Sequence, residues 1–261
     1  MKKTIISCVL FLTAVTAFSQ TPMKTAAEAK LSASDLAVKI ADRILATTTY
    51  EFKNTKTGKT YKSVKNLPLD MNVKVACKYN NWHYTNGVTH IALMELADKT
   101  GAKKYDDYVL KNMNFVFNEG NLDFFKKQYD QAMKNEGWYG VRKLSWHMIF
   151  RGKRLDDNGP MGASLIDLQM KHPNNSFLNY INETAEHLNY GEPRLADGTI
   201  ARIWPHENTI WADDAFMAIS FLARMAKMTG DMSYINDAAN QVIKYHKYLW
   251  CPEKRILYHC Y

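Results

Sequence analysis

The chain has 261 residues, of which 46% are hydrophobic, a length that suits one large domain or two small ones. The 34 Lys and Arg outnumber the 26 Asp and Glu, giving a net charge of +8, but the basic residues form no single stripe and no nucleic-acid-binding motif is present. We therefore expect no nucleic-acid partner, and the odd number of cysteines after residue 20 argues against a disulfide framework.

The first 20 residues have the pattern of a secretory signal peptide. Lys2 and Lys3 precede a mostly apolar run over residues 5–17, and small residues follow at Ala17 and Ser19. We expect cleavage near Ser19 or Gln20, which leaves residues 21–261 as a periplasmic or secreted domain. No later apolar stretch is long enough for a transmembrane helix, so we expect no membrane span.

The chain after the leader alternates helical patterns with breakers. Ser34 and Asp35 predict the start of a helix whose apolar residues recur at helical spacing, namely Leu36, Ile40, Ile44 and Leu45. Residues 47–69 have the composition of a loop, with Gly58 and Pro68 as breakers. Residues 121–154 begin as a helix and then become rich in Trp and basic residues, so we expect an insertion or an extra hairpin there.

Three segments of the chain repeat one layout. The segment from Trp82 to Tyr105 matches the segment from Trp211 to Tyr234 at a constant offset of 129 residues (211 − 82). A weaker third copy, which starts near Asp156, is offset by 72 residues from the first. In this frame Tyr84, Asp156 and Asp213 occupy one equivalent position, and we take that position as the site.

Each copy predicts a pair of helices. The first pair runs through residues 88–100 and 105–117, the second through 161–171 and 176–188, and the third through 218–230 and 234–249. The connection over residues 190–208 is long, and loops of this length in compact domains are often functional.

The repeated hairpins predict the fold class. Strand signals are weak throughout, so we expect an all-α fold, an α/α toroid or solenoid in which each hairpin packs against its neighbours. Because the chain stops directly after a hairpin, we expect an incomplete ring that lacks C-terminal hairpins. Residues 20–261 alone are then expected to be aggregation-prone or partly molten, and inactive.

The blocks Asp197–Arg202 and Asn208–Met217 resemble the unsaturated rhamnogalacturonyl hydrolases, glycoside hydrolase family 105, which are allied to the unsaturated glucuronyl hydrolases of family 88. The similarity covers most of the chain from about residue 82, and its further motifs are Trp82–Gly87, Leu155-Asp156-Asp157, Phe221-Leu222, Thr229-Gly230-Asp231 and Leu257-Tyr258-His259. The resemblance implies a closed barrel of six α/α hairpins whose active site lies where the inner helices begin. It implies no cofactor.

The resemblance also implies a reaction, the removal of a terminal Δ4,5-unsaturated uronic acid from pectin or rhamnogalacturonan-type oligosaccharides. An acid protonates C4, water adds at C5, and the resulting hemiketal collapses and expels the neighbouring sugar. An Asp with an ordinary pKa of about 3.9 is not protonated near neutral pH, but burial and a second carboxylate raise such a pKa. We therefore expect Asp213 to be the acid and Asp156 to be the second carboxylate.

Both aspartates have an ordinary structural alternative, because Asp often stands in the first turn of a helix as a cap or a favourable charge. Asp214 is the closest rival of Asp213, but it is one position out of the repeat frame, so its side chain should point elsewhere. The same frame selects Asp156 over Asp157.

Five residues are expected to bind the substrate, each with an alternative role; the resemblance itself implies only the contact of His259, and Arg202 stands where some members of the family have a His. Tyr84, Trp211 and Met217 either pack in the core or contact the sugar, and His259 is either a surface residue or a substrate contact. Arg202 either pairs with the substrate carboxylate, which its planar fork fits, or is a solvated loop residue. Paired His spacing on one helix is missing, so no metal site is expected.

Other functions remain open at this point. The chain could be a non-catalytic fragment or a carbohydrate-binding remnant of an α/α-barrel enzyme. It could also be another sugar enzyme of this fold, such as an epimerase, although that chemistry favours His pairs as acid and base. Cys251 and Cys260 either pair in an oxidising compartment or remain free thiols.

Overall fold

The computed structural model describes residues 32–152 and 154–261, so the predicted signal peptide lies outside the described residues. The described chain divides after residue 42 into two units, of which the first is described over residues 32–42 and the second begins at residue 43. Helix α1, Ala33–Thr47, is capped by Ser32 instead of the predicted Ser34. The Ser32 Oγ accepts from the Asp35 backbone N–H at 3.1 Å, and the Asp35 carboxylate accepts from the Ser32 N–H at 3.1 Å.

The remaining elements of the second unit follow in chain order. The strands are β1 (Phe52–Asn54), β2 (Thr60–Tyr61), β3 (Val73–Val75), β4 (Trp250–Cys251) and β5 (Ile256–Leu257). The helices are α2 (Tyr84–Thr100), α3 (Lys104–Val116), α4 (Glu119–Val141), α5 (Met148–Arg151), α6 (Leu155–Lys171), α7 (Asn175–Glu186), α8 (Ala212–Thr229) and α9 (Met232–Leu249).

Helices dominate the described part of the chain, which confirms the predicted all-α class. The hairpins α2–α3, α6–α7 and α8–α9 are the three predicted repeats. Helix α6 packs against α2 on one side and α8 on the other, so the first helices of the three hairpins lie side by side. Gly101 and Gly230, which are equivalent in the repeat frame, both end their helices in the left-handed conformation, with φ of 71° and 76°.

Glycines allow these three helices to approach backbone to backbone. A Cβ on Gly87 of α2 would lie 2.3 Å from the Pro160 carbonyl carbon of α6, and a Cβ on Gly159 would lie 2.4 Å from the Met217 oxygen of α8. Both contacts lie near the N-terminal ends of the helices. The beginnings of α2, α6 and α8 are thereby brought together at one end of the unit.

One expectation about the regions between the repeats was wrong. Residues 47–69, predicted as a loop, contain β1 and β2, which form a three-stranded antiparallel sheet with β3 in the order β2-β1-β3. In the segment predicted as an insertion or an extra hairpin, Phe124 and Phe125 of α4 pack against Phe52 of β1. Helix α4 changes direction at Gly137, whose φ of 60° is non-helical.

Helix α6 begins at Leu155, six residues before the predicted start at Met161. The breaker signal of Gly159 and Pro160 was misleading, because Pro160 is accommodated inside this helix next to Gly87. Helix α7 passes into one π-helical turn over residues 187–191, a feature that is frequent at functional sites.

Cys77, Cys251 and Cys260 are free thiols in the structure. Of the helices in the described ranges, none combines the length and the apolar character that a membrane span requires.

Candidate active site

The three positions that the repeat frame equates all lie at the beginnings of neighbouring helices. Tyr84 is the first residue of α2, Asp156 the second of α6, and Asp213 the second of α8. The indole N–H of Trp82 donates to the Asp157 carbonyl at 2.7 Å and so ties the start of α2 to that of α6. Carboxylate oxygens of Asp156, Asp213 and Asp214 lie within 4.8 Å of one another.

Arg202 is the positive charge at the centre of these carboxylates. Its Nε donates to Asp214 at 2.6 Å and its Nη2 donates to the other Asp214 oxygen at 2.7 Å. The same Nη2 lies 3.3 Å from Asp213 Oδ2 and 3.5 Å from Asp156 Oδ1. The guanidinium also lies 4.7 Å from the centre of the Trp211 ring, within the range of a cation–π contact.

The cluster of acids therefore already contains its counter-ion. Asp156, Asp213 and Asp214 have the oxygen ligands that a metal ion prefers, but Arg202 Nη2 lies within 3.5 Å of all three side chains. A cation placed among these oxygens would be repelled by the guanidinium. The residues present thus fit an arginine-bridged acid cluster better than a metal centre.

The two Asp-Asp pairs are built alike. In each pair the first aspartate is partly exposed, 27% for Asp156 and 42% for Asp213, whereas the second is fully buried. Arg151 contacts both carboxylate oxygens of the buried Asp157, as Arg202 does with Asp214. The buried member anchors each helix start, and the other carboxylate is left facing the site.

Burial raises the pKa of Asp214 to about 6. The hydrogen bonds and charge of Arg202 oppose this effect, and the nearby charges of Asp213 and Asp156 add to it. The carboxyl of Asp214 is poorly placed to give a proton to a ligand, because its side chain is 1% exposed and both oxygens already accept from Arg202. The pKa of Arg202 is raised as well, because its carboxylate partners outweigh the effect of burial.

The last residues of the chain bring His259 to Asp213. The segment pairs with residues 210–212: the Ala212 N–H donates to the His259 carbonyl at 2.8 Å, and Ile210 and Tyr261 exchange hydrogen bonds of 3.0 and 2.9 Å. His259 Nε2 thereby lies 3.9 Å from Asp213 Oδ1, and its ring stands at 79° to the Trp211 ring, with 5.0 Å between ring centres.

Trp211 is held directly before Asp213. It is the residue preceding α8, and its indole N–H donates to the Thr209 hydroxyl at 3.1 Å. Arg202 and His259 both contact its ring, so Trp211 is a shared packing surface for two residues that approach Asp213.

Tyr84 is half-buried, and its ring packs against that of His83, with 4.5 Å between ring centres. Burial lowers the pKa of His83, while the charges of Asp156 and Asp157 act in the opposite direction. His83 therefore belongs to the surroundings of Asp156, although we did not select it from the sequence. Its position directly before Tyr84 in the repeat frame was the available signal.

Met217 is the predicted substrate-binding residue that the structure places deepest. It is buried, and its carbonyl oxygen forms the close contact with Gly159 that joins α8 to α6. This position favours packing, the first of its two predicted roles. The geometry of Arg202 likewise favours a role as counter-ion of the three aspartates.

A cavity of about 160 Å³ opens beside the cluster. Asp156, Arg202 and Asp214 line one side of it, and the other lining residues are Arg154, Leu155, His187, Gly191, Glu192, Pro193, Ile203 and Trp204. His187 and Glu192 face each other across the π-helical turn, with 2.8 Å between Nε2 and a carboxylate oxygen. Sequence reasoning did not assign this pair, because nothing in the spacing of His187 and Glu192 predicts a π-helical turn.

Comparison with known proteins agrees with this architecture. A family model described as Glycosyl Hydrolase Family 88 matches residues 55–261. A possible member of glycoside hydrolase family 105 from Klebsiella pneumoniae is 13% identical, with a TM-score of 0.55 over 93% of this chain and 55% of that one. One from Salmonella enterica is 15% identical, with the same TM-score and coverage.

A third similar structure, a family 105 glycoside hydrolase from C. acetobutylicum, is 21% identical, with a TM-score of 0.56 over 88% of this chain and 49% of that one. At these identities the likeness concerns the fold, and it confirms the predicted architecture of α/α hairpins. The chain spans about half the length of the structures it matches. No curated protein matches it.

Proposed function

The chain belongs to glycosyl hydrolase family 88, and from this premise we propose that it removes a terminal Δ4,5-unsaturated uronic acid from pectin or rhamnogalacturonan-type oligosaccharides. The observation that carries the proposal is the placement of Asp156 and Asp213. Both carboxylates are partly exposed, they stand on separate helices, and the contact of Gly159 with Met217 holds those helices together.

The charge balance of the cluster supports an acid role. Asp156, Asp213 and Asp214 carry three negative charges when all are ionised, and Arg202 supplies one positive charge. An excess of negative charge in a partly buried cluster favours the retention of a proton. The carboxyls of this cluster that a substrate can reach are Asp156 and Asp213, which are 27% and 42% exposed.

Asp213 is the donor in this proposal. Its Oδ1 is closed off from solvent and has no hydrogen-bond partner among the described residues, so the exposure of the carboxyl falls on Oδ2. Asp213 Oδ2 donates its proton to C4 of the sugar, and the positive charge develops at C5 and the ring oxygen. Asp156, on the neighbouring helix, stabilises that charge.

Water then adds at C5, and the proton that it releases restores the acid. The hemiketal opens by breaking the bond between C5 and the ring oxygen, and the bond from C1 to the neighbouring sugar breaks in turn. The proposed contacts of the sugar are Tyr84 at the start of α2, Trp211 directly before α8, and His259, which approaches Asp213 at 3.9 Å. Export fits the proposal, since residues 1–20 have the pattern of a signal peptide and polymeric pectin lies outside the cell.

The test uses the purified chain and an unsaturated disaccharide released by a pectin or rhamnogalacturonan lyase. Hydration removes the ultraviolet absorbance of the conjugated double bond, so its loss is followed with time. Because residues 20–261 alone are expected to be inactive, the rates are compared in a form of the protein that turns the disaccharide over. There Asp123→Asn, an exposed control on α4, should keep the parent rate, and Asp213→Asn should be at least 100-fold slower, on the order of a lost general acid. Binding of the disaccharide without any loss of absorbance would instead establish a carbohydrate-binding protein.

A further inference from the structure

The cavity beside the acid cluster contains three basic side chains, Arg202, His187 and Arg154. Two of them are already engaged. Arg202 is bound by the aspartates at 2.6 to 3.5 Å, and His187 faces Glu192 at 2.8 Å. Arg154 has no ion pair with any residue that the structure describes, so its guanidinium donors remain available to a ligand.

The side chain of Arg154 is nevertheless held in place. Its guanidinium carbon lies 4.9 Å from the centre of the Trp204 ring, and Trp204 lines the same cavity. Stacking on an aromatic face leaves the in-plane N–H groups of an arginine free to donate. Trp204 is 59% exposed, so this wall of the cavity is open to an incoming molecule.

Arg154 is also tied to Asp156 through the backbone. It is the residue that precedes α6, with φ of −141° and ψ of 145°, and Asp156 follows two positions later. The Arg154 carbonyl accepts from the N–H groups of Asp157 and Asn158 at 2.9 and 3.1 Å. The base of Arg154 is thus fixed by the start of the helix that carries Asp156.

A carboxylate that enters this site meets an excess of negative charge. Arg202 cannot attract it effectively, because three aspartates already surround that guanidinium. An anionic sugar therefore needs a second cation at the cavity. The five-donor fork of an arginine binds a planar carboxylate with two parallel hydrogen bonds.

We propose that Arg154, stacked on Trp204, binds the carboxylate of the unsaturated uronyl group and so selects anionic sugars. The proposal rests on the proposed function and deepens it. The carboxylate is attached to C5, one end of the double bond, so anchoring it in the cavity that Asp156 lines keeps the C4=C5 bond beside the acid cluster. Arg154 is a binding and specificity residue in this assignment.

The experiment compares two substrates, the unsaturated uronyl disaccharide and its methyl ester, with four proteins. These are the parent chain, Arg154→Met, Arg154→Lys and Arg142→Met, the last a control at an exposed arginine. For Arg154→Met we expect KM for the acid to rise about 10- to 100-fold, as for loss of hydrogen bonds to a charged group. KM for the ester should change less than 3-fold, on the order of an ordinary neighbouring substitution, because the uncharged ester makes no ion pair with Arg154.

Arg154→Lys should fall between the parent and Arg154→Met, because lysine keeps the charge but not the fork. Arg142→Met should match the parent on both substrates. An equal rise in KM for acid and ester, or no change for either, would overturn the assignment, since a merely structural role cannot distinguish the two substrates. Thermal unfolding of each variant identifies a loss of folding.

Calorimetric binding separates this inference from the proposed function. If the parent chain turns over neither substrate, the proposed hydrolase activity fails. Arg154 is then still supported if the parent prefers the acid over the ester and Arg154→Met loses that preference. If the parent chain binds the acid no better than the ester, the role of Arg154 is refuted, whatever the activity.

Discussion

Arg202 donates to both carboxylate oxygens of Asp214, at 2.6 and 2.7 Å, in a pair that is almost closed to solvent. This pairing gives the acid cluster a fixed positive centre, because Arg202 Nη2 also approaches Asp213 and Asp156. Arg202, which the sequence suggested as a partner of the substrate carboxylate, is thus bound to carboxylates of the protein itself. A role for Arg202 in binding the substrate carboxylate stays a prediction, and the geometry favours Arg154 for that task.

Replacing Arg202 by Met should destabilise the fold by about 3–5 kcal/mol, because it leaves the buried Asp214 without its counter-charge. The double variant Arg202→Met/Asp214→Leu should recover much of the loss, since it removes both charges. Urea denaturation measures the difference in the free energy of unfolding. Lys126→Met is the matched control: its partner Asp130 is 58% exposed, and such a pair contributes about 0.2–1 kcal/mol.

His259→Ala should raise KM for the unsaturated disaccharide several-fold and leave the melting temperature unchanged. The ring contacts Trp211 and approaches Asp213, but it is 72% exposed and contributes little buried surface. His206→Ala, another exposed histidine near α8, serves as the control and should behave like the parent chain. A fall in melting temperature without a change in KM would assign His259 to the packing of the terminal segment.

Gly87→Ala should lower both stability and activity. The added methyl group would lie 2.3 Å from the Pro160 carbonyl carbon and 2.5 Å from the Met161 nitrogen, and neither backbone atom can move aside cheaply. Overpacking of this kind costs about 1–3 kcal/mol. The helices that carry Tyr84 and Asp156 must separate to relieve it. The adjacent exposed position provides the control, since Val88→Ala should change the free energy of unfolding by less than about 1 kcal/mol.

The stability of the chain should fall on acidification because of His90. Burial lowers the pKa of this histidine to about 4, and neither ring nitrogen has a hydrogen-bond partner among the described residues. The unfolded chain takes up the proton near the ordinary pKa of 6.5, whereas the folded chain does not. The contribution of neutral His90 to the free energy of unfolding is therefore fully present above pH 6.5 and is lost as the pH falls toward 4.

Between pH 7 and pH 5 this one residue should cost about 2 kcal/mol. Chemical denaturation at both pH values, compared between the parent chain and His90→Phe, isolates the effect. The phenylalanine variant should show a smaller decrease, because its ring fits the site without a titrating group. An identical decrease in both proteins would assign the acid sensitivity to other groups.

The repeat frame selected residues that share one structural position, because the repeat is carried by helix starts. Tyr84, Asp156 and Asp213 were equated by offset alone, and the structure places each in the first turn of one of three adjacent helices. The frame also separated Asp213 from Asp214 and Asp156 from Asp157, since one step along a helix turns a side chain by about 100°. The structure buries the two residues that lie outside the frame.

Other features depend on contacts that no local pattern shows. The strands β1, β2 and β3 have two or three residues each, too few for an alternating pattern to stand out. The start of α6 was missed because Gly159 and Pro160 normally break a helix, whereas here their small or compact shape is required by the adjoining backbones. The bond from Arg151 to Asp157 and the stacking of Arg154 on Trp204 arise only in three dimensions.

Arg202 and Thr209 are paired, and the Thr209 carbonyl accepts the Arg202 N–H at 2.7 Å. The pairing closes the base of a short surface loop, residues 203–208, that carries Trp204 into the cavity. A loop closed at its base tolerates changes in length at little entropic cost. Insertions or deletions within residues 203–208 should therefore change the wall of the cavity at Trp204 without moving Asp156 and Asp213, whose helices are held together by the contact of Gly159 with Met217.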